Sequence, residues 1–332
     1  MRLSQLPQAL KLAHTAGRSV FIKGAPGIGK TSAVRQYADE KGMKLVSIHA
    51  PLVDLLDLKG VISTDGESAK FLPVSIWPKS TDAPVVVLID ELAQCVPAIQ
   101  NAFSQLLIDH KMGDIQLPAG SMVIATGNRR EDKAATHTMP SHVVNRLIHI
   151  NLDNSLDDFI AWAVQNDIEH EIIAFLQYRP ALLHTFDPKD TQRAYASNRS
   201  WEYASDLLKS MRMFNDESIM LEVLSGAIGD GEAAEFVAYR SMYHSLQDPK
   251  EVLKEPKKAK VPKKESELYA LVTALAMHVD ESTRENFYLF LDRITVEFAV
   301  LALKTVKPRW IGCFEGNGWK AFSSKHAAML VG

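Results

Sequence analysis

Gly24, Ala25, Pro26, Gly27, Ile28, Gly29, Lys30 and Thr31 stand in the order G-x-x-x-x-G-K-[ST], a set of residue types and spacings suited to holding a polyphosphate. The glycines let backbone N–H groups turn inward around phosphate oxygens. Lys30 is at the offset that reaches the β/γ-phosphates, and the Thr31 hydroxyl can ligate Mg2+. That chemistry requires a strand leading into the loop and a helix leaving it, so that the positive end of the helix dipole faces the anion. Val20, Phe21 and Ile22 read as a buried strand before the loop. Thr31 to Lys41 read as a helix after it, with Val34, Tyr37 and Ala38 on one face and Gly42 at the stop.

Holding a phosphate is not cleaving it, and two further apolar runs end in groups that could do the second task. Residues 85–89 (Val-Val-Val-Leu-Ile) are followed by Asp90 and Glu91. Adjacent acids on a buried strand are tolerated only where the chain leaves the sheet, the edge at which open α/β sheets bind ligands. There Asp90 can support the Mg2+ sphere, directly or through water, and Glu91 can orient and polarise an attacking water. The run Met122 to Ala125 leads through Thr126 and Gly127 to Asn128. Its neutral amide can hydrogen-bond a γ-phosphate or the attacking water without adding charge. No serine or cysteine nucleophile is paired with a base. His137 and His142 sit near each other, but no pair among the eleven histidines has helical metal-ligand spacing beside a carboxylate. No metal other than Mg2+ is expected.

The elements that must position these groups follow from the apolar pattern. Strands are expected at Val20–Ile22, Leu45–Ile48, Val85–Ile89, Met122–Ala125 and Leu147–Ile150, separated by helices, the signature of a parallel sheet covered on both faces. Two segments interrupt it as hairpin insertions: Lys59 to Pro78, with Gly60, Asp65, Gly66 and Pro73, and Lys111 to Gly120, with Gly113 and Pro118. After Asn154 the period becomes helical. Ile168, Ile172, Phe175 and Leu176 share a face in a helix ended by Pro180. Trp201, Ala204, Leu208 and Met211 mark the next, capped by Ser200. Helices follow at Met220–Ile228, Ala233–Tyr243, Leu268–Met277 and Phe287–Leu303. Trp162, Trp201 and Trp310 are expected to pack helices. Asp248 to Ser266, rich in lysine and proline, reads as a solvated, extended connector; the alternative is a basic contact strip for a partner or nucleic acid.

Together the three motifs resemble the AAA+ ATPases, with residues 24–31 as Walker A, Asp90 and Glu91 as Walker B, and Asn128 as sensor 1. Segments at Asn128–Asp132, Met139–Ser141, Asn145–Leu147, Ile173–Pro180 and Ser200–Glu202 resemble the MoxR-like branch. The resemblance covers roughly residues 15 to 210. It implies an α/β P-loop core with a parallel sheet over residues 1–152, then an all-helical lid and helical extension over 153–332, with nucleotide in the cleft between them. It implies Mg2+-dependent hydrolysis of ATP by a ring, usually a hexamer. Arg146 falls at the family's arginine finger and would act in trans on a neighbour's γ-phosphate; a structural ion pair is the other reading, and Arg129 and Arg130 are competing candidates for inter-subunit contact. Arg199 matches sensor 2 by position, although Asn198 stands where many relatives have proline, and Arg193 is the fallback. The two insertions match the helix-2 insert and the pre-sensor-1 hairpin, which in relatives line the pore or face the client. The implied partner is a client protein, possibly one with a von Willebrand factor A domain. A nucleic-acid motor or loader is the alternative, and a nucleotide-gated switch with negligible turnover a third reading that Asp90 and Glu91 oppose.

Bulk properties bound these readings. A chain of 332 residues can bury a real core in one large domain or two moderate ones. A net charge of −3 weighs against broad nucleic-acid binding. Cys95 and Cys313 are too few and too distant for a disulfide framework or a metal site, and read as buried apolar residues in a reducing compartment. Met1 to Pro7 lacks a signal-peptide core, and no apolar run is long enough to span a bilayer. A cytoplasmic protein without membrane insertion is the expectation.

Overall fold

Among the described residues nine strands form, at Val20–Lys23 (β1), Lys44–His49 (β2), Val61–Thr64 (β3), Ala69–Leu72 (β4), Val85–Asp90 (β5), Lys111–Met112 (β6), Ile115–Gln116 (β7), Met122–Gly127 (β8) and Ile148–Asn151 (β9). The structure is a computed structural model and describes residues 1–64, 66, 69–72, 74–113, 115–132, 137–190, 193–214 and 217–327. Asp65 and Pro73, named above as turn residues, lie outside them. The five apolar runs make one parallel sheet in the order β2-β5-β8-β1-β9. Both expected insertions are antiparallel hairpins, β3 with β4 and β6 with β7.

Continuous apolar strands are what a sheet covered on both faces requires, because successive side chains point to opposite sides. Val86 and Leu88 of β5, Met122 and Ile124 of β8, and Val20 and Ile22 of β1 enter one core with Leu6, Leu10, Val34 and Tyr37. Val87 and Ile89, Val123 and Ala125, and Phe21 enter the opposite core with Phe103, Leu106 and Leu107. The order β5-β8-β1 places the ends of three strands side by side, so the loop after β1, Asp90 and Asn128 share one edge by topology alone.

The chain divides into two compact units, Met1–Ser155 with Asp187–Thr191, and Leu156–Phe186 with Gln192–Gly332. The second is helical. One of its cores gathers Phe175, Trp201 and Phe236; another gathers Phe287, Tyr288, Phe290 and Phe322. Between them Thr273 Oγ1 donates to Gln177 Oε1 at 2.5 Å and Gln177 Nε2 donates to Thr305 Oγ1 at 2.7 Å. Trp201 is fully buried, and Trp162 and Trp310 pack against these cores. Both cysteines are buried. Among the described residues no helix is long and apolar enough to cross a membrane.

Three sequence expectations change here. The helix containing Trp201 runs Asn198–Phe214, so Ser200 lies inside it and Ser197 precedes it. Ser200 N–H donates to Ser197 Oγ at 3.2 Å while Ser197 N–H donates to Ser200 Oγ at 2.7 Å. This reciprocal pair is a capping box, with Ser200 as its return half rather than the cap. Ser197→Ala is expected to cost the second unit about 1 kcal/mol, read as a lower urea midpoint at unchanged m. The stretch Phe287–Leu303 is two helices, Arg284–Leu291 and Val296–Val306. Apolar periodicity runs across the break because both flanks face one core, and Thr295, extended at φ −67° and ψ 151°, restarts the chain as an N-cap residue. A further helix, Gly316–Lys325, went unanticipated because its glycines are weak helix formers.

The third change concerns Asp248 to Ser266, which is not an extended connector. Pro249–Lys254 is a helix started by Asp248, whose side chain accepts from Lys250 N–H. Val252, Leu253, Pro256 and Ala259 are buried. A lysine- and proline-rich composition hid four inward-facing residues, enough to anchor the segment.

Candidate nucleotide-binding site

The loop after β1 is built by glycine where only glycine fits. Gly27 and Gly29 have φ of +76° and +96°, the left-handed region that side chains disfavour. A Cβ on Gly24 would lie 2.5 Å from Ile28 Cδ1 and 3.1 Å from the Leu152 carbonyl oxygen. Gly24 N–H donates to the Gly127 carbonyl of β8 at 3.3 Å, tying the loop to the strand that delivers Asn128. Gly29 caps the helix Lys30–Glu40, so Lys30 and Thr31 open it.

Lys30 is buried, and its ammonium donates to the carbonyls of Gly24 at 2.8 Å and Ala25 at 2.9 Å and to Asn128 Oδ1 at 3.0 Å. These are neutral acceptors, which an anionic phosphate oxygen outcompetes. Thr31 Oγ1 donates to Asp90 Oδ2 at 2.9 Å. A hydroxyl and a carboxylate in contact beside a phosphate-binding loop are hard oxygen donors of the kind Mg2+ takes, so the residues fit the ion.

Two residues not singled out from sequence complete the set. Thr126 Oγ1 donates to Asp90 Oδ1 and accepts from Glu91 N–H at 3.2 Å, which orients both acids. Glu91 itself has a left-handed backbone at φ +60°, an uncommon conformation for a non-glycine residue of the kind that collects at functional sites. His49, opposite Asp90 in the β2–β5 register, places Nε2 3.4 Å from Glu91 Oε2. A polar residue at the end of a strand was the available signal for both.

The structure thus brings Gly24–Thr31, Asp90, Glu91 and Asn128 to one edge of one unit. The arginines are placed differently. Arg146 follows the short helix Ser141–Val144, and its side chain is exposed, with no ion pair among the described residues. Arg129 is engaged within the chain: its guanidinium donates to the Leu152 carbonyl and, at 2.8 Å, to Asp153 Oδ1. The side chain of Arg130 lies outside the described residues. Arg199 belongs to the second unit, exposed in the first turn of Asn198–Phe214. There burial raises the Glu202 carboxyl above its ordinary pKa, Asp206 adds to the rise, and Arg199 opposes it. Arg193 is exposed in the same unit.

Strand order, glycine loop and paired acids define an α/β P-loop core with a parallel sheet, followed by a helical C-terminal region. Residues 20–151, the segment that holds the whole site, match the family model described as ATPase family associated with various cellular activities (AAA). The chain is similar to midasin of Giardia intestinalis, 23% identical over 159 residues that cover 45% of this chain and 3% of that protein. It therefore spans only a small fraction of that relative's length. Among solved structures it is similar to the Thermotoga maritima RuvB Holliday junction branch migration motor, with a TM-score of 0.41 at 15% identity over 88% of this chain and 86% of that one. Brucella abortus NtrX in complex with ADP aligns with a TM-score of 0.41 at 16% identity, over 98% of this chain and 67% of that one.

Proposed function

We propose that this chain is a Mg2+-dependent ATPase of the MoxR-like kind that assembles as a ring, with a hexamer as the family's usual form, and remodels a protein partner. The observation that carries the reading is the convergence of Lys30, Thr31, Asp90 and Asn128 in two linked hydrogen-bonded pairs on one sheet edge. In this reading the loop N–H groups and Lys30 grip the phosphates, and Thr31 and Asp90 hold the ion. Mg2+ held there would supply positive charge against the phosphate oxygens. Glu91 takes the proton of the attacking water, and Asn128, released by Lys30, orients that water or the γ-phosphate. Arg199 senses nucleotide within the subunit.

Arg146 acts in trans, a role favoured by its exposure and by the lack of an acidic partner in its own chain among the described residues. Arg146→Ala is predicted to bind Mg·ATP normally and to lose about 10³-fold or more in turnover. Normal hydrolysis by the purified variant would remove the trans assignment. Arg129, occupied within its own chain, should instead show a modest stability loss when truncated.

The preference for ATP rests on the AAA family match. A protein client, possibly with a von Willebrand factor A domain, is drawn from the MoxR-like resemblance and is supported by the β3–β4 hairpin, which exposes Val61, Ile62 and Leu72. The test is capture from native extract with Glu91→Gln and Mg·ATP, half of it treated with nuclease. One protein that survives nuclease supports remodelling and identifies the client. Co-eluting nucleic acid, or partners lost on nuclease treatment, replaces it with a nucleic-acid motor.

A further inference from the structure

The segment from Lys250 to Lys264 holds seven lysines (Lys250, Lys254, Lys257, Lys258, Lys260, Lys263 and Lys264) and only two acids, Glu251 and Glu255. Its net charge is therefore +5 in a chain of net −3, which leaves −8 on the remainder. All seven lysines are exposed. Lys258 pairs with Glu255 at 2.9 Å and Lys264 with Glu267 at 3.5 Å. Lys250, Lys254, Lys257, Lys260 and Lys263 have no acidic partner among the described residues. A solvated connector would leave these charges on a mobile chain, but this backbone is fastened.

The fastening is specific. Arg293 donates to the carbonyls of Pro256 and, at 2.8 Å, Ala259. Asn286 Nδ2 donates to the Leu253 carbonyl at 2.8 Å. Gln247 clasps Lys260 on both sides, its Nε2 donating to the Lys260 carbonyl at 2.8 Å and its Oε1 accepting from Lys260 N–H at 3.0 Å. Val252, Leu253 and Ala259 sit in the core around Phe287 and Phe290. With its backbone polar groups held from inside, the segment presents its lysine side chains outward without paying chain-ordering entropy when something binds.

We infer that residues 250–264 form a preorganised docking strip for a short acidic segment of a protein. The charge pattern selects that partner over nucleic acid. Duplex DNA carries one negative charge per about 1.7 Å, so it would extend past the strip onto Asp248, Glu265 and Glu267, the acids that border it in sequence. A short acidic peptide meets only the strip. The segment has no arginine for forked phosphate contacts and no aromatic residue on which bases could stack; the neighbouring arginine, Arg293, is turned inward onto carbonyls. The choice of a protein rests also on the remodelling reading above, but the strip uses no residue of the nucleotide site.

Fluorescence anisotropy on the full chain, with labelled deca-glutamate and a labelled 20-nucleotide DNA as single strand and duplex, tests this at low and physiological salt. The peptide is expected to bind best and to weaken with salt. A variant with Lys250, Lys254, Lys257, Lys260 and Lys263 changed to glutamine should lose on the order of 50-fold in peptide affinity, about 2.3 kcal/mol by the affinity relation. The same five changed to arginine should retain it. Gln247→Ala, which loosens the clasp and leaves every charge in place, should give a smaller loss. Peptide binding that is absent, or unchanged in the glutamine variant, overturns the strip. Tighter DNA binding through the same lysines overturns the choice of partner. ATP turnover measured in parallel separates the two readings: intact turnover without peptide binding removes the strip alone, and peptide binding without turnover removes the ATPase reading alone.

Discussion

Lys30→Ala is expected to abolish useful nucleotide binding, raising the Kd for Mg·ATP by at least about 100-fold, the scale of losing several charge-assisted hydrogen bonds to phosphate. Geometry contributes to this loss as well as charge. The Lys30 side chain is buried, and its ammonium is held by two loop carbonyls and Asn128. It is therefore already in position, with little side-chain entropy left to lose on binding. The truncation also leaves the Gly24 and Ala25 carbonyls without that donor, so the loop itself should loosen. Calorimetric titration with a non-hydrolysable ATP analogue reads the affinity, and a thermal melt of the unliganded variant separates loss of grip from loss of fold. Near wild-type affinity would show that the loop amides alone hold the phosphates and would remove Lys30 from the site.

The second large effect belongs to Glu91→Gln. Removing a general base costs about 10²–10⁴-fold, and the amide keeps the size and one acceptor oxygen of the acid. Binding should stay within a few-fold of the native chain while turnover falls by about 10³. Glu91 is suited to the role by its half-exposed carboxylate, by its place next to Asp90, which bonds Thr31 of the phosphate loop, and by the Thr126 hydroxyl that accepts from its backbone N–H. His49, 3.4 Å from Glu91 Oε2, is placed to restrain that carboxylate. Single-turnover phosphate release with saturating Mg·ATP isolates the chemical step. Unchanged release would move the base to another group and leave Asp90 and Glu91 with metal and structural duties only.

The legible part of this molecule was the part in which local pattern and tertiary demand agree. Residues 85–89 can only be a strand buried on both faces, so the acids that follow can only stand at the sheet's edge, and both hold in the structure. The loop glycines free the backbone to turn its N–H groups inward, and Gly27 and Gly29 have the left-handed conformation that glycine alone adopts readily. Where several solutions satisfy the same local pattern, tertiary contacts choose among them. Serines at 197 and 200 are both acceptable caps; the helix starts after the first because only that start closes the reciprocal pair. Lysine and proline between 248 and 266 allow a free chain, but Arg293 and Asn286, more than 30 residues further on, and Gln247, 13 residues before Lys260, capture its carbonyls.

By itself the sequence determined the phosphate-binding loop, the five core strands, the acid pair and the helical character of the second half, because hydrophobic period and glycine stereochemistry act over a few residues. Only the tertiary structure decided which strand ends are neighbours. That choice set Thr126 against Asp90, His49 against Glu91, and the Asn128 amide against Lys30, contacts spanning 36, 42 and 98 residues. It also decided that Arg129 is occupied while Arg146 is exposed, and that the lysine strip is fastened. Such pairings depend on strand order and on which buried groups find hydrogen-bond partners, and no local window of sequence contains both partners.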